Sequence, residues 1–121
     1  HDGGPTMTAK IELVLDVADI DVMVDFYVAA LGYVRFGSVN QYASITPPAG
    51  EVGVKLIFQR VDEPKVAKNR LHIDIHATDI DAEAVRLQNL GATRIRRVDE
   101  LGFAWVVMAD PEGNEFCVVP T

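Results

Sequence analysis

The amino-acid sequence predicts an α+β domain built from two βαβββ repeats, and three observations carry that prediction. The segment Leu13-Val14-Leu15-Asp16-Val17-Ala18-Asp19-Ile20-Asp21 matches Ile73-Asp74-Ile75-His76-Ala77-Thr78-Asp79-Ile80-Asp81 at an offset of 60, with the tripeptide Asp-Ile-Asp unchanged. In the same order, Leu31-Gly32 recurs as Leu90-Gly91, one residue having been lost in between. Both halves also pass from period-two alternation to helical periodicity at the matched tripeptide. A duplication explains all three together.

The first half opens with Ile11, Leu13, Leu15 and Val17 alternating with Glu12, Val14 and Asp16, which predicts a strand with one buried face. Asp19 or Asp21 can cap the free amides of a helix start. Met23, Phe26, Tyr27, Ala30 and Leu31 then form one apolar stripe at helical spacing, closed by Gly32. Three strands come next, at Tyr33 to Gly37, Gln41 to Thr46 and Gly53 to Gln59. In the second half Leu71 to Ala77 alternates as a strand, and Ile80, Ala84, Leu87 and Leu90 form a helical stripe ended by Gly91. Strands are expected near Thr93 to Val98, Phe103 to Ala109 and Glu115 to Val119, with Asp110-Pro111-Glu112-Gly113-Asn114 as the turn before the last. The repeat units therefore span 10–60 and 71–119, joined by the charged, Pro64-containing linker 61–70, within one domain 10–121. Residues 1–9 read as a disordered terminus or an expression remnant, which makes His1 a poor ligand candidate.

Composition narrows the function classes. With 121 residues, 49% apolar and 24% charged, the chain can bury a core of its own. Its apolar runs are too short to span a membrane. Cys117 is its only cysteine, so an intrachain disulfide is excluded and a cytoplasmic, reducing location is expected. A formal net charge of −7 argues against nucleic acid as a partner. Phosphate loops, nucleophile elbows, paired-cysteine motifs and dinucleotide-binding glycine patterns are all missing.

The segments Asp25-Phe26-Tyr27…Leu31-Gly32-Tyr33, Leu71-His72-Ile73-Asp74 and Asp110-Pro111-Glu112-Gly113-Asn114-Glu115-Phe116 resemble the glyoxalase, bleomycin-resistance and extradiol-dioxygenase (vicinal oxygen chelate) superfamily, which also includes fosfomycin-resistance proteins. The resemblance runs from Lys10 to Val119. It is nearest to small glyoxalase-like domains in which Phe58-Gln59-Arg60-Val61 leads through Pro64-Lys65 into Arg70-Leu71-His72. It implies a glyoxalase-like fold, a curved mixed sheet around a small-molecule cup. It also implies metal ligands on the first and last strand of each unit, where a substrate chelates the ion through vicinal oxygens. Members of this length commonly pair, so a homodimer is expected.

The family's first-strand ligand position falls on Glu12 and His72, and its last-strand position on Ile57 and Cys117. Isoleucine cannot ligate, so the implied set for a divalent metal, zinc or iron, is Glu12, His72 and Cys117. A lone cysteine is otherwise a small buried hydrophobe. Glu12 and His72 are the implied catalytic pair. By period two His72, Asp74 and His76 share one strand face, and Asp16 is the repeat-mate of His76. These side chains form either a polar substrate pocket with an imidazole acid/base or a solvated sheet face. Tyr42, Phe103 and Trp105 can wall such a pocket or pack against a core or a second chain. Arg96 or Arg97 can bind a carboxylate or phosphate, or stay solvated. Two functions are compatible with this set: a metal-dependent lyase, isomerase, dioxygenase or transferase acting on a small oxygenated metabolite, or a metal-free sequestration protein of the bleomycin-resistance type.

Overall fold

Alternating residues and two capped amphipathic stripes fold into ten elements, in the computed structural model that describes residues 8–121. The first unit comprises β1 (Leu13–Val17), α1 (Ile20–Leu31), β2 (Val34–Val39), β3 (Tyr42–Thr46) and β4 (Leu56–Arg60). The second comprises β5 (Asp74–Ala77), α2 (Ile80–Asn89), β6 (Thr93–Glu100), β7 (Phe103–Ala109) and β8 (Glu115–Pro120). The terminal stretch expected at 1–9, with His1, lies outside the described residues except for Thr8 and Ala9.

Each unit makes a four-stranded mixed sheet of the same order, β1-β4-β3-β2 and β5-β8-β7-β6. First and last strands pair in parallel and the rest are antiparallel. A parallel pair needs a long crossover, and α1 or α2 with the intervening hairpin supplies it. This is the predicted α+β fold of two βαβββ units. Both units also carry a β-bulge at matched places, between Arg35 and Gly37 and between Arg94 and Arg96.

Local chemistry sets the boundaries. Asp19 and Asp79 cap the helices by accepting from the amides of Val22 and Ala82. Gly32 ends α1 at φ 69°, a left-handed conformation that glycine adopts without strain. Strand β5 begins at Asp74 rather than Leu71, and in its parallel register Asp74 lies opposite Cys117 of β8. His72 thus sits in the lead-in to the strand, although the amide of Cys117 still donates to the carbonyl of Ile73 at 3.0 Å.

One face of each sheet is covered by its helix. Met23, Val24, Phe26, Tyr27 and Ala30 of α1 lie with Ala43, Ile45, Leu56 and Phe58. Ile80, Ala84 and Leu87 of α2 lie with Val106, Met108, Phe116 and Val118 in the same continuous core. Each fully buried large side chain contributes roughly 1.5–3 kcal/mol of burial free energy.

The two units are also locked together by polar contacts. The Glu112 carboxylate accepts from the amides of Ala18 and Asp19 at 2.7 and 2.8 Å, at the N-terminal end of α1. Arg86 donates to the carbonyls of Ala29 and Ala30 at 3.2 and 2.9 Å, at the C-terminal end of the same helix. The second unit therefore puts an anion and a cation where the helix dipole favours each. Between them Tyr27 donates to Asp110 Oδ2 at 2.7 Å, while Asp110 Oδ1 accepts from Glu112 N, Asn114 N and Asn114 Nδ2. Among the described residues no helix is long and apolar enough to cross a membrane.

Candidate ligand-binding cup

With a helix on one face of each sheet, the opposite faces are left to meet a ligand, and the strand register shows how they differ. In the second unit Asp74 lies beside Cys117, Cys117 beside Val107, and Val107 beside Arg96. The matching row of the first unit is Val14, Ile57, Ser44 and Gly37. The duplicated scaffold thus carries donors and charge in one copy and small or apolar residues in the other.

His72, Asp74 and Cys117 form the cluster of ligand-type groups among the described residues, their ligand atoms all within 4.8 Å of one another. His72 Nδ1 is 3.7 Å from Asp74 Oδ1. A zinc or iron ion wants such atoms about 2.0–2.3 Å from a common point, hence roughly 3.5 Å apart. Side chains of His72 and Asp74 are 43% and 51% exposed, so small rotations bring them in, and the donor set fits a divalent ion. Cys117 is buried, and burial pushes its thiol above the ordinary range; Asp74 and Glu115 add to the shift, while Arg96 and Lys68 oppose it.

Around the cluster lies a cavity of about 370 Å³, large enough for a small metabolite, walled further by Lys68, Arg96, Trp105, Val107, Glu115 and Val119. The linker forms its rim. Lys68 pairs with Glu115 at 3.2 Å, and Asn69 accepts from the Glu115 amide at 2.9 Å while donating to Asn114. A second space, at the seam near Leu13, Tyr27 and Ile73, holds only about 70 Å³, too little for such a ligand.

The structure brings some of the expected site residues together and separates others. His72, Asp74, Cys117 and Trp105 line the cup. Glu12 is outside the cluster; its carboxylate pairs with Lys55 at 3.4 Å. His76, registered with Val119, does not line the cup; it lines a separate cavity with Leu13, Tyr33 and Glu83. Asp16 lines a separate cleft with Glu63, Pro64 and Lys65. Tyr42 stands on the first unit's face with Phe36, Val39 and Ile57. Phe103, 67% exposed, lies at the hairpin end of β7 and does not line the cup. Of the two arginines, Arg96 reaches the cup, whereas Arg97 turns to Asp81 on α2. Lys68 and Glu115 were not anticipated from sequence, although Glu115 stands two residues before Cys117 on the same strand face and was legible by alternation.

A family model described as a glyoxalase-like domain matches residues 12–119. No curated protein matches the chain by sequence. Among solved structures, the fosfomycin resistance protein FosX from Listeria monocytogenes superposes with a TM-score of 0.78 at 12% identity, covering 96% of this chain and 95% of that one. A FosX E126Q mutant complexed with Mn(II) and 1S,2S-dihydroxypropylphosphonic acid gives 0.77 at 13% identity, covering 94% and 90%. The bleomycin-binding protein of Streptomyces verticillus, complexed with copper(II)-bleomycin, gives 0.65 at 18% identity, covering 97% and 99%.

Proposed function

The chain belongs to the glyoxalase-like domain family, and from that premise we propose that it binds a small oxygenated metabolite at a divalent metal held in the cup of its second unit. The observation that carries this reading is the convergence of His72, Asp74 and Cys117 on one face. Three protein donors leave coordination positions open, and a metal there supplies Lewis acidity to ligand oxygens. The remaining work falls to the chain itself. Trp105 offers a flat wall against which the ligand body rests. Asn69 and Lys68 hold the rim closed over Glu115. A metal-dependent lyase, isomerase, dioxygenase or transferase is the reaction class this arrangement supports. The Mn(II) complex of FosX is a precedent for a divalent ion on this fold.

Glu12 enters the same reading through a homodimer. The first unit's face exposes Val14, Phe36, Val39 and Tyr42 at 55%, 69%, 69% and 45%, an apolar surface that a second copy would cover. Such pairing would give Tyr42, and Glu12 through Lys55 beside Phe36 at the same face, a second copy as neighbour.

Cobalt(II) tests the reading. The protein is expected to take up one equivalent with a thiolate-to-cobalt absorption band that Cys117→Ala lacks. Absence of that band in the unmodified protein refutes Cys117 as a ligand. The second reading, metal-free sequestration, is favoured by one observation: Val14 and Ile57 replace the donors in the first unit. It predicts binding without turnover, and a bleomycin-binding protein is among the structures that share the fold.

A further inference from the structure

The bulge in β6 does something that the proposed reading leaves unused. Strict alternation would put Arg96 on the face of Arg94, which turns toward α2 and lies 3.8 Å from Asp81. The extra residue in the strand, Ile95, re-aims the side chains after it. Arg96 consequently registers with Val107 in the row of Cys117 and Asp74, and Arg97 takes the place beside Asp81 at 3.0 Å. In the first unit the bulge is kept, but Gly37 stands at the position of Arg96. Scaffold geometry therefore accounts for the bulge; it does not account for the arginine.

Pairing separates Arg96 from its neighbours in sequence. Arg35, Arg60, Arg86, Arg94 and Arg97 each have a carboxylate within 4.0 Å. Among the described residues Arg96 has none, and it shares this only with Arg70, which does not line the cup. Lys68, the other cation of the cup, is engaged by Glu115. Beyond the Lys68–Glu115 pair, the cup sets the cation Arg96 against the carboxylate of Asp74, whose near neighbour is His72 at 3.7 Å. A divalent ion would leave it positive on a chain whose net charge is −7. An open guanidinium fork beside a flat indole suits a ligand with an oxyanion head and a planar or apolar body.

We propose that Arg96 is the oxyanion-recognition residue of the cup, selecting ligands that carry a carboxylate or a phosphate next to the part that lies against Trp105. This rests on the reading of the cup as a small-molecule site, but not on the presence of a metal. Trp105 is the chain's single tryptophan, so its fluorescence reports this site alone. Benzoate, phenyl phosphate and the neutral isostere benzamide are titrated into the full chain, with zinc and with chelator. Either oxyanion is expected to bind at least about tenfold more tightly than benzamide. Arg96→Gln should reduce that preference to within about twofold, and Arg96→Lys should retain part of it. Which of the two oxyanions binds more tightly distinguishes carboxylate from phosphate ligands. If benzamide binds as tightly as the oxyanions, or if Arg96→Gln keeps the preference, the inference falls while the cup reading stands. If the preference survives chelation unchanged, the metal is dispensable and the inference stands. Silence of Trp105 toward all three probes at ~10 mM, some ten times a millimolar dissociation constant, overturns both.

Discussion

Replacing Tyr27 by Phe removes one oxygen atom from the seam between the two units, and the structure sets the size of the effect. The hydroxyl is buried and donates to Asp110 Oδ2 at 2.7 Å, whereas the other three donors all go to Oδ1. The substitution therefore strands one buried carboxylate oxygen. Hydrogen bonds to charged groups contribute about 1.5–3 kcal/mol, and stranding the acceptor puts this one in the upper half of that range. For a chain of this length the unfolding entropy is about 0.25 kcal/mol per kelvin, so the midpoint should fall by roughly 9–12 °C. The sign with pH is also fixed. Burial raises the Asp110 carboxyl above its ordinary range, with the Tyr27 bond as the largest opposing influence. A folded pKa above the unfolded one means that the folded state binds more protons in that window, so this group's contribution declines as pH rises through it. Loss of the Tyr27 bond steepens that decline. Tyr27→Phe should thus be most costly near pH 7 and least costly below the carboxylate range, read from urea unfolding at several pH values. A loss under ~0.5 kcal/mol at pH 7, or one independent of pH, would refute the assignment of Asp110 as the buried anion of the seam.

Three more substitutions or measurements probe other parts of the structure. Glu112→Gln should destabilise by about 1–2 kcal/mol, because an amide cannot accept from both the Ala18 and Asp19 amides at the start of α1; an unchanged urea midpoint would contradict it. Gly53→Ala should destabilise by about 1–3 kcal/mol, since its Cβ would lie 2.6 Å from Tyr33 Oη and 2.8 Å from Pro47 Cγ, and Tyr33 cannot retreat without losing its bond to the Val54 carbonyl. Thermal unfolding checks this, and a midpoint within a degree of the parent rejects it. Light scattering should give a dimer that Val39→Asp converts to monomer, whereas a monomeric parent at high micromolar concentration would remove the second-copy role of Glu12 and Tyr42.

The repeat made the fold legible. Asp19 and Asp79 cap as their shared tripeptide suggests, and Gly32 closes α1 in the left-handed conformation it alone makes easy. Strand ends were less legible: alternation predicts a strand from Leu71, whereas β5 starts at Asp74, and where a ladder begins depends on nonlocal pairing that alternation cannot express. In the site, the ligand atoms of His72 and Cys117 lie within 4.8 Å of each other, whereas Glu12, the repeat-mate of His72, stays apart with Lys55. Asp74 was readable as a cup residue, but its place beside Cys117 depends on strand register. Arg96 and Arg97 could not be told apart in sequence, since a bulge one residue upstream decides which of them faces the cup. The turn Asp110–Asn114 showed its glycine and proline chemistry plainly. Its second role, binding Tyr27 and capping α1 through Glu112, joins residues more than 80 positions apart and leaves no local trace.

Metal stoichiometry tests the central claim most directly. The full chain is equilibrated with zinc, dialysed free of excess, and its metal content measured by plasma mass spectrometry alongside His72→Ala and Asp74→Ala, with circular dichroism to show that all three are folded. One equivalent per chain in the parent, and less than about a tenth of that in folded His72→Ala, is the outcome required when a site of three donors loses one. A folded His72→Ala variant that keeps its full equivalent, or a parent that retains none, would contradict a metal centred on His72, Asp74 and Cys117.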